Sequence, residues 1–185
     1  FQNNKTIRSY NGTFELDRLT FDIDKGKNSK DKVINDIRYF LRLLEDKGAA
    51  PEICRVWFSG RGFHVEIPEL YGFGASKDTP EVVKRTISKE FGSIADNIYD
   101  YARLIRVGYS YNMKSKLYKT PLTTSEVHNL NYDEIVELSR NYLRKDFAHE
   151  YIAEVEPIWN NNIVVLEPTV AVDIVEKTKP AKYNG

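Results

Sequence analysis

Asp22 and Asp24, in the stretch Leu19-Thr20-Phe21-Asp22-Ile23-Asp24, are the residues most able to do chemistry. Alternate side chains of an extended strand share a face, so these two carboxylates project together while Phe21 and Ile23 face the other way. Such a pair suits a hard divalent cation. Magnesium typically takes one or two carboxylates, keeps several waters and completes its shell with substrate phosphates. The pair therefore points to phosphoryl chemistry, although a D-x-D on an edge strand is as often a solvated face. A second stretch, Phe58-Ser59-Gly60-Arg61-Gly62-Phe63-His64-Val65, sets a hydroxyl, an arginine and an imidazole around a glycine turn. Its backbone N–H groups can meet phosphate oxygens, with Ser59 and His64 adding hydrogen bonds. Asp96 offers a third carboxylate, and Asp100 is its rival. Arg103 and Arg106 then precede a loop in which Lys114, Lys116 and Lys119 alternate with Tyr109, Tyr111 and Tyr118. Aromatics in a basic patch can stack bases while the cations track phosphates. Acidic pair, phosphate-donor turn and basic aromatic loop together describe nucleotidyl transfer.

Each feature also has a structural reading. His64 lies on an otherwise apolar strand, where a core histidine is the commoner occupant. Arg103 and Arg106 could form an exposed face paired with Asp100 or Glu126. Most of the 12 tyrosines are expected to pack in or against the core, as are Trp57 and Trp159. It is the joint occurrence, in order, that carries the functional reading.

The elements that must position these groups follow from periodicity. Asn11-Gly12 suits a hairpin turn within a β-rich segment 5–16 that would return as a strand over 18–24. Val33, Ile34, Ile37, Phe40, Leu41 and Leu44 recur at helical spacing, and Gly48 stops that helix. Strands are expected over Ile53 to Phe58 and Phe63 to Ile67. Thr79-Pro80 starts a second helix with Val83, Ile87 and Phe91 on one face and Gly92 at its end. Thr123 with Glu126, and Asn131 with Glu134, are capping-box signals for two further helices, the longer carrying Ile135, Leu138 and Tyr142. Ile163 to Leu166 reads as a strand, and 176–185 as a tail or linker following a catalytic domain over 1–175.

Composition sets limits. At 185 residues, 41% hydrophobic and 12% aromatic, the chain can build one α/β domain with a real core. Lysine plus arginine total 27 and aspartate plus glutamate total 27, so any nucleic-acid contact must come from a local patch. One cysteine, Cys54, excludes an intrachain disulfide and a cysteine-rich zinc site, and reads as a buried inert thiol. No run approaches the roughly 20 apolar residues of a membrane span, so no membrane partner is expected and a cytoplasmic location is the default. A chain beginning at Phe1 is expected to be part of something longer.

The order Phe21-Asp22-Ile23-Asp24, then Ser59-Gly60-Arg61-Gly62-Phe63-His64, then Asp96, Tyr99 and Arg103-Leu104-Ile105-Arg106 resembles the archaeo-eukaryotic primase superfamily. Through Asn112-Met113-Lys114-Ser115 and Leu117-Tyr118-Lys119 it is most similar to the primase-polymerases of phages, viruses and mobile elements. The resemblance covers about Leu19 to Leu122. It departs at Lys116, where relatives often have glycine, and at Gly108, where proline is frequent.

The resemblance implies a primase catalytic fold of α+β type. An RNA-recognition-type sheet would carry the carboxylates and a second small αβ unit the serine–histidine turn, with the active site in the cleft between. It implies primer synthesis, with possible extension, from nucleoside triphosphates on single-stranded DNA template. Asp22, Asp24 and Asp96 would hold two Mg²⁺ or Mn²⁺ ions. Ser59, Arg61, His64, Arg103 and Arg106 would bind the nucleotide, and Lys114, Lys119 and Tyr111 the template. A helicase or accessory domain in the parent chain, or as a partner, is expected to supply affinity, in a bacterial, archaeal or phage-infected cell. Two alternatives stand beside it. One is an end-joining or gap-filling polymerase of the same superfamily; the other is a non-catalytic replication-initiation or single-strand-binding module.

Overall fold

The alternation expected around Asp22 is present in strand β1 (Arg18–Ile23), which buries Leu19, Phe21 and Ile23 on one face and leaves Asp22 half-buried on the other. The structure is a computed structural model that describes residues 12–96, 98, 99, 104–142 and 144. Strand β2 (Arg55–Phe58) turns Val56 and Phe58 to the same covered face, and β3 (Phe63–Pro68) turns Phe63, Val65 and Ile67 there. With β6 (Thr120–Leu122) these form one antiparallel sheet in the order β1-β3-β2-β6. β1 and β2 therefore run parallel on either side of β3, joined by helix α1 (Lys30–Asp46), a split β-α-β arrangement.

Helix α1 buries Val33, Ile34, Ile37, Phe40, Leu41 and Leu44, the six positions that its periodicity singles out. Ser29 caps it by accepting from the Lys32 N–H at 3.1 Å, and Gly48, at φ +89°, follows its end. Helix α2 (Thr79–Phe91) begins with Pro80 in its first turn and closes at Gly92. Phe21 of the sheet meets Phe40 of α1 and Phe91 of α2 at centroid distances of 5.0 and 5.2 Å, so both helices lie on the same face. Each such ring stabilises the fold by about 1.5–3 kcal/mol relative to an exposed one. The opposite face of the sheet carries no helix among the described residues.

Helices α3 (Thr124–Asn129) and α4 (Tyr132–Leu138) both start at the expected capping boxes. A small separate ladder pairs β4 (Tyr111–Asn112) with β5 (Leu117–Tyr118). Cys54 is half-buried instead of buried, and that burial pushes its thiol up to about 12, helped by Glu52 and Glu45. No helix among the described residues is long and apolar enough to cross a membrane.

Three expectations change, and a fourth is only partly within the described residues. The second strand starts at Arg55 rather than Ile53, because Pro51–Ile53 forms a 3₁₀ turn closed by the Cys54 N–H on the Pro51 carbonyl at 3.2 Å. Most of the segment 5–16 and the Asn11 turn lie outside the described residues; of the part described, Phe14 pairs with Ser76. Helix α4 ends at Leu138, so Tyr142 leaves its apolar face: the Tyr118 N–H takes the Ser139 carbonyl at 2.9 Å and ties the chain to β5. The serine–histidine turn is not on a second unit across a cleft; β2 and β3 share one sheet with β1. The strand at 163–166, the tail 176–185 and Trp159 lie outside the described residues.

Candidate active site

Registration across the sheet brings the acidic, imidazole and indole groups into one row. Asp96 bridges Asp22, Asp22 opposes His64, His64 opposes Trp57, and Trp57 opposes Pro121. Directly opposed residues of antiparallel neighbours share a face, so all five side chains belong to the face without helices. His64 Nε2 lies 3.7 Å from Asp22 Oδ1, with the two side chains 13% and 23% exposed. His64 is therefore half-buried among polar groups, not enclosed in the apolar core.

Asp96 reaches the row because the chain after α2 returns to the outer edge of β1. Its N–H donates to the Asp22 carbonyl at 2.7 Å. Three residues on, the Tyr99 hydroxyl accepts from the Thr20 N–H at 2.7 Å and donates to the Thr20 carbonyl at 2.8 Å. Burial raises the Tyr99 phenol above its ordinary value, so it stays a neutral pin. The two contacts act in place of a further strand and place Asp96 opposite Asp22. Asp24, exposed at the end of β1, accepts from the Gly26 N–H at 3.3 Å. Three carboxylates at one sheet edge are the right donor chemistry for a hard cation. As the side chains stand, no group of three or more histidine, cysteine, aspartate or glutamate side chains among the described residues is drawn together for a metal. Asp24 and Asp96, both exposed, would have to turn toward Asp22 to make one.

The glycine turn is packed against this edge. A Cβ at Gly62 would fall 2.2 Å from the Ile23 carbonyl oxygen and 2.9 Å from Asp24 Cα, so only glycine allows the approach. Gly60 holds φ +96° beneath the β4–β5 hairpin, where a Cβ would meet Ser115 Oγ at 2.5 Å. Ser59 spends its hydroxyl inside the turn, donating to the Gly62 carbonyl at 3.1 Å. Arg61 is exposed and donates to the Gly26 carbonyl at 3.2 Å, linking the turn to the loop that follows Asp24.

Cations balance the row. Arg106 Nη2 donates to the Ser59 carbonyl, while its Nη1 is buried without a hydrogen-bond partner among the described residues. Burial lowers the Arg106 guanidinium from its ordinary value, and the field of Asp22 opposes that shift. Lys119 is placed otherwise than a template contact would need. It is 1% exposed, with its ammonium 5.1 Å over the Trp57 ring, 3.4 Å from Glu66 and 2.8 Å from the Arg106 carbonyl. Burial lowers the Lys119 ammonium and Glu66 pulls it back. Its work is to support Trp57 and the Arg106 backbone from beneath.

Lys114 and Tyr111 are exposed on the β4–β5 hairpin. The turn there depends on Asn112, whose Oδ1 accepts from the N–H groups of Lys114 and Ser115 at 2.9 and 3.3 Å. Lys116, where relatives of the resembled family often have glycine, adopts φ +57°, the conformation that glycine takes without cost. Gly108 lies against Trp57, where a Cβ would come within 2.5 Å of the ring. Arg103 and Asp100 lie outside the described residues, whereas Asp96 is placed beside Asp22.

A cleft of about 550 Å³ opens on the same face, one step along the strands from the row. Thr20, Glu66 and Arg55 form its floor, registered with one another, and Trp57, Tyr99, Ile105 and Arg106 are among its walls. It does not include Asp22 or His64, but Trp57 belongs to both, and Arg106, whose guanidinium feels the field of Asp22, lines it. Glu66 and Ser115 were missed by sequence reasoning. Glu66 shares the His64 face by simple alternation and was findable; Ser115 comes to the turn only through the hairpin's fold. Comparisons with protein-family models, with curated proteins and with solved structures gave no match for this chain.

Proposed function

We propose that the chain is the catalytic domain of a primase-polymerase, transferring nucleotides from nucleoside triphosphates to a growing 3′-end on single-stranded DNA. The observation that carries this reading is the row Asp96-Asp22-His64, with the glycine turn packed against its acidic edge. The strand order supports it as well. A split β-α-β unit followed by a second helix and a return to the free edge of β1 is the path of an RNA-recognition-type sheet, with Asp96 where a fourth strand would run.

In this reading Asp22, Asp24 and Asp96 hold Mg²⁺ or Mn²⁺. Ions held there would supply Lewis-acid activation of the attacking hydroxyl and charge stabilisation of the leaving pyrophosphate. The rest falls to the chain's own groups. Arg106, at the wall of the cleft, would turn its buried Nη1 outward to clamp a triphosphate oxygen. The N–H groups of Gly60 and Arg61 and the His64 imidazole offer neutral or charged donors beside it. Trp57 and the cleft beyond it offer an apolar wall and a polar floor to a nucleoside. Lys119 and Glu66 keep that wall in position.

The test is incubation with single-stranded template and labelled nucleotides, without primer, with Mg²⁺ and Mn²⁺ in turn. Products from the wild type that vanish in Asp24→Ala support the reading; no incorporation with either metal, with or without a primer, overturns it. Incorporation only on a primed gap bearing a 5′-phosphate would assign the end-joining alternative. DNA retention with no incorporation, unchanged in Asp22→Ala, would assign the non-catalytic module.

A further inference from the structure

Rings on and beside the β4–β5 hairpin form a continuous series leading away from the row. Tyr111 meets Tyr118 at 5.0 Å and 57°, Tyr118 meets Tyr142 at 5.5 Å and 67°, and Tyr142 meets Tyr109 at 6.5 Å and 61°. Tyr109 in turn meets Trp57 at 5.8 Å, edge to face. The series thus begins at the indole that opposes His64 and ends at the protein surface. Tyr111 is 45% exposed and Tyr142 58%. A single exposed tyrosine needs no explanation, but linked rings running to the surface are a patch, and a patch calls for an occupant.

Two observations select the occupant. Tilted contacts leave ring faces open at Tyr111 and Tyr142 instead of burying them in a face-to-face stack. The hairpin tip between the strands carries Lys114 and Lys116, both exposed, so cations flank the rings. Open π-faces beside lysines suit unpaired bases and their phosphates, whose stacking is sequence-tolerant because every base has such a face. An apolar protein partner would want the rings without the charges.

We propose that Tyr111, Tyr118 and Tyr142 form a stacking ladder for single-stranded DNA, with Lys114 and Lys116 beside its phosphates and Tyr109 joining the ladder to Trp57. The proposal deepens the polymerase reading by naming where the template runs. It replaces the buried Lys119 with Tyr142, a residue that belongs to no motif and reaches the hairpin only because α4 stops at Leu138.

The experiment measures binding of the full chain to a fluorescent oligothymidylate by anisotropy, with no nucleotide or metal present, so that its outcome is independent of incorporation. Tyr142→Ala and Tyr111→Ala should each weaken binding by roughly five- to a hundred-fold, the range for loss of one stacked base. Tyr142→Phe should bind like the wild type. An oligomer with abasic sites should bind the wild type as weakly as the intact oligomer binds the alanine variants. Lys114→Ala should weaken binding to every sequence alike and reduce the salt dependence by about one unit of slope. Equal binding of abasic and intact oligomers overturns the proposal, as does an unchanged Tyr142→Ala. A dimer that dissociates on Tyr142→Ala would assign the face to a contact between copies, and also overturn it. Binding with these signatures but no incorporation would retain the ladder and sink the polymerase; incorporation without them would do the reverse.

Discussion

The two faces of the four-stranded sheet come from the same strands, residue by alternate residue, but are held by different physics. The helix-covered face is Leu19, Phe21, Ile23, Val56, Phe58, Phe63 and Val65, closed by Phe40 and Phe91. It is stabilised by area removed from water, which is non-directional and tolerates exchange of one large apolar group for another. The other face carries Asp22, His64, Trp57, Glu66, Arg106 and Lys119. Each charge there needs a particular partner at a particular distance, because a buried ion is costly unless paired. The core face accordingly defines the fold and the polar face can be specialised for chemistry, and losses on the two should be separable.

The largest separation is expected between Asp24→Ala and Phe40→Ala. Asp24 is exposed, so its loss should leave the unfolding free energy from urea titration within about 0.5 kcal/mol of wild type while incorporation falls by about 10³-fold, the scale of a lost transition-state contact. Phe40 is fully buried, and its truncation should cost about 3–5 kcal/mol with any activity loss following the folded fraction. If Asp24→Ala unfolds the chain, the two faces are not separable.

The contrast sharpens at Lys119. Glu66→Gln leaves its ammonium in a site 1% exposed with its counter-ion removed, and should cost about 3–5 kcal/mol in equilibrium unfolding. The double variant Glu66→Gln, Lys119→Met should regain most of that loss. Additive losses would show that the two side chains act separately, and that polar pairing is not what holds this face.

Smaller effects lie at the margins. Lys116→Gly should be neutral to stabilising by up to about 1 kcal/mol, since relief of the left-handed conformation outweighs the added freedom of the unfolded chain. A loss would mean that the lysine side chain itself supports the hairpin. Glu126 marks the least change. Burial pushes its carboxyl up, but Arg144, at 2.6 Å, and Thr123 outweigh this and hold it below the ordinary range. A folded-state value below the unfolded one adds stability that is present above about pH 4.3 and lost as pH falls through the folded value. The stability difference between wild type and Glu126→Gln should thus be constant from neutral pH to about 5 and shrink in acid.

Legibility followed the same division. Apolar periodicity alone marked all six buried positions of α1, and the capping boxes at Thr123 and Asn131 marked where α3 and α4 begin, because these signals act within a turn or two of chain. The D-x-D strand and the glycine turn were local in the same way. By contrast, nothing in sequence spacing puts Asp96 beside Asp22, 74 positions away, or assigns Lys119 to Glu66 instead of a template. Tyr142 was periodic with Ile135 and Leu138, but a backbone bond from β5 ended the helix first.

What this chain's residues determined by themselves is which groups alternate, where helices start, and which side of each element is apolar. Those are short-range consequences of backbone geometry and hydrophobicity. Only the tertiary structure decided which charges meet, whether a lysine is surface or support, and which tyrosines line up. These depend on strand order and register, where a shift of one residue would send every side chain of a strand to the other face.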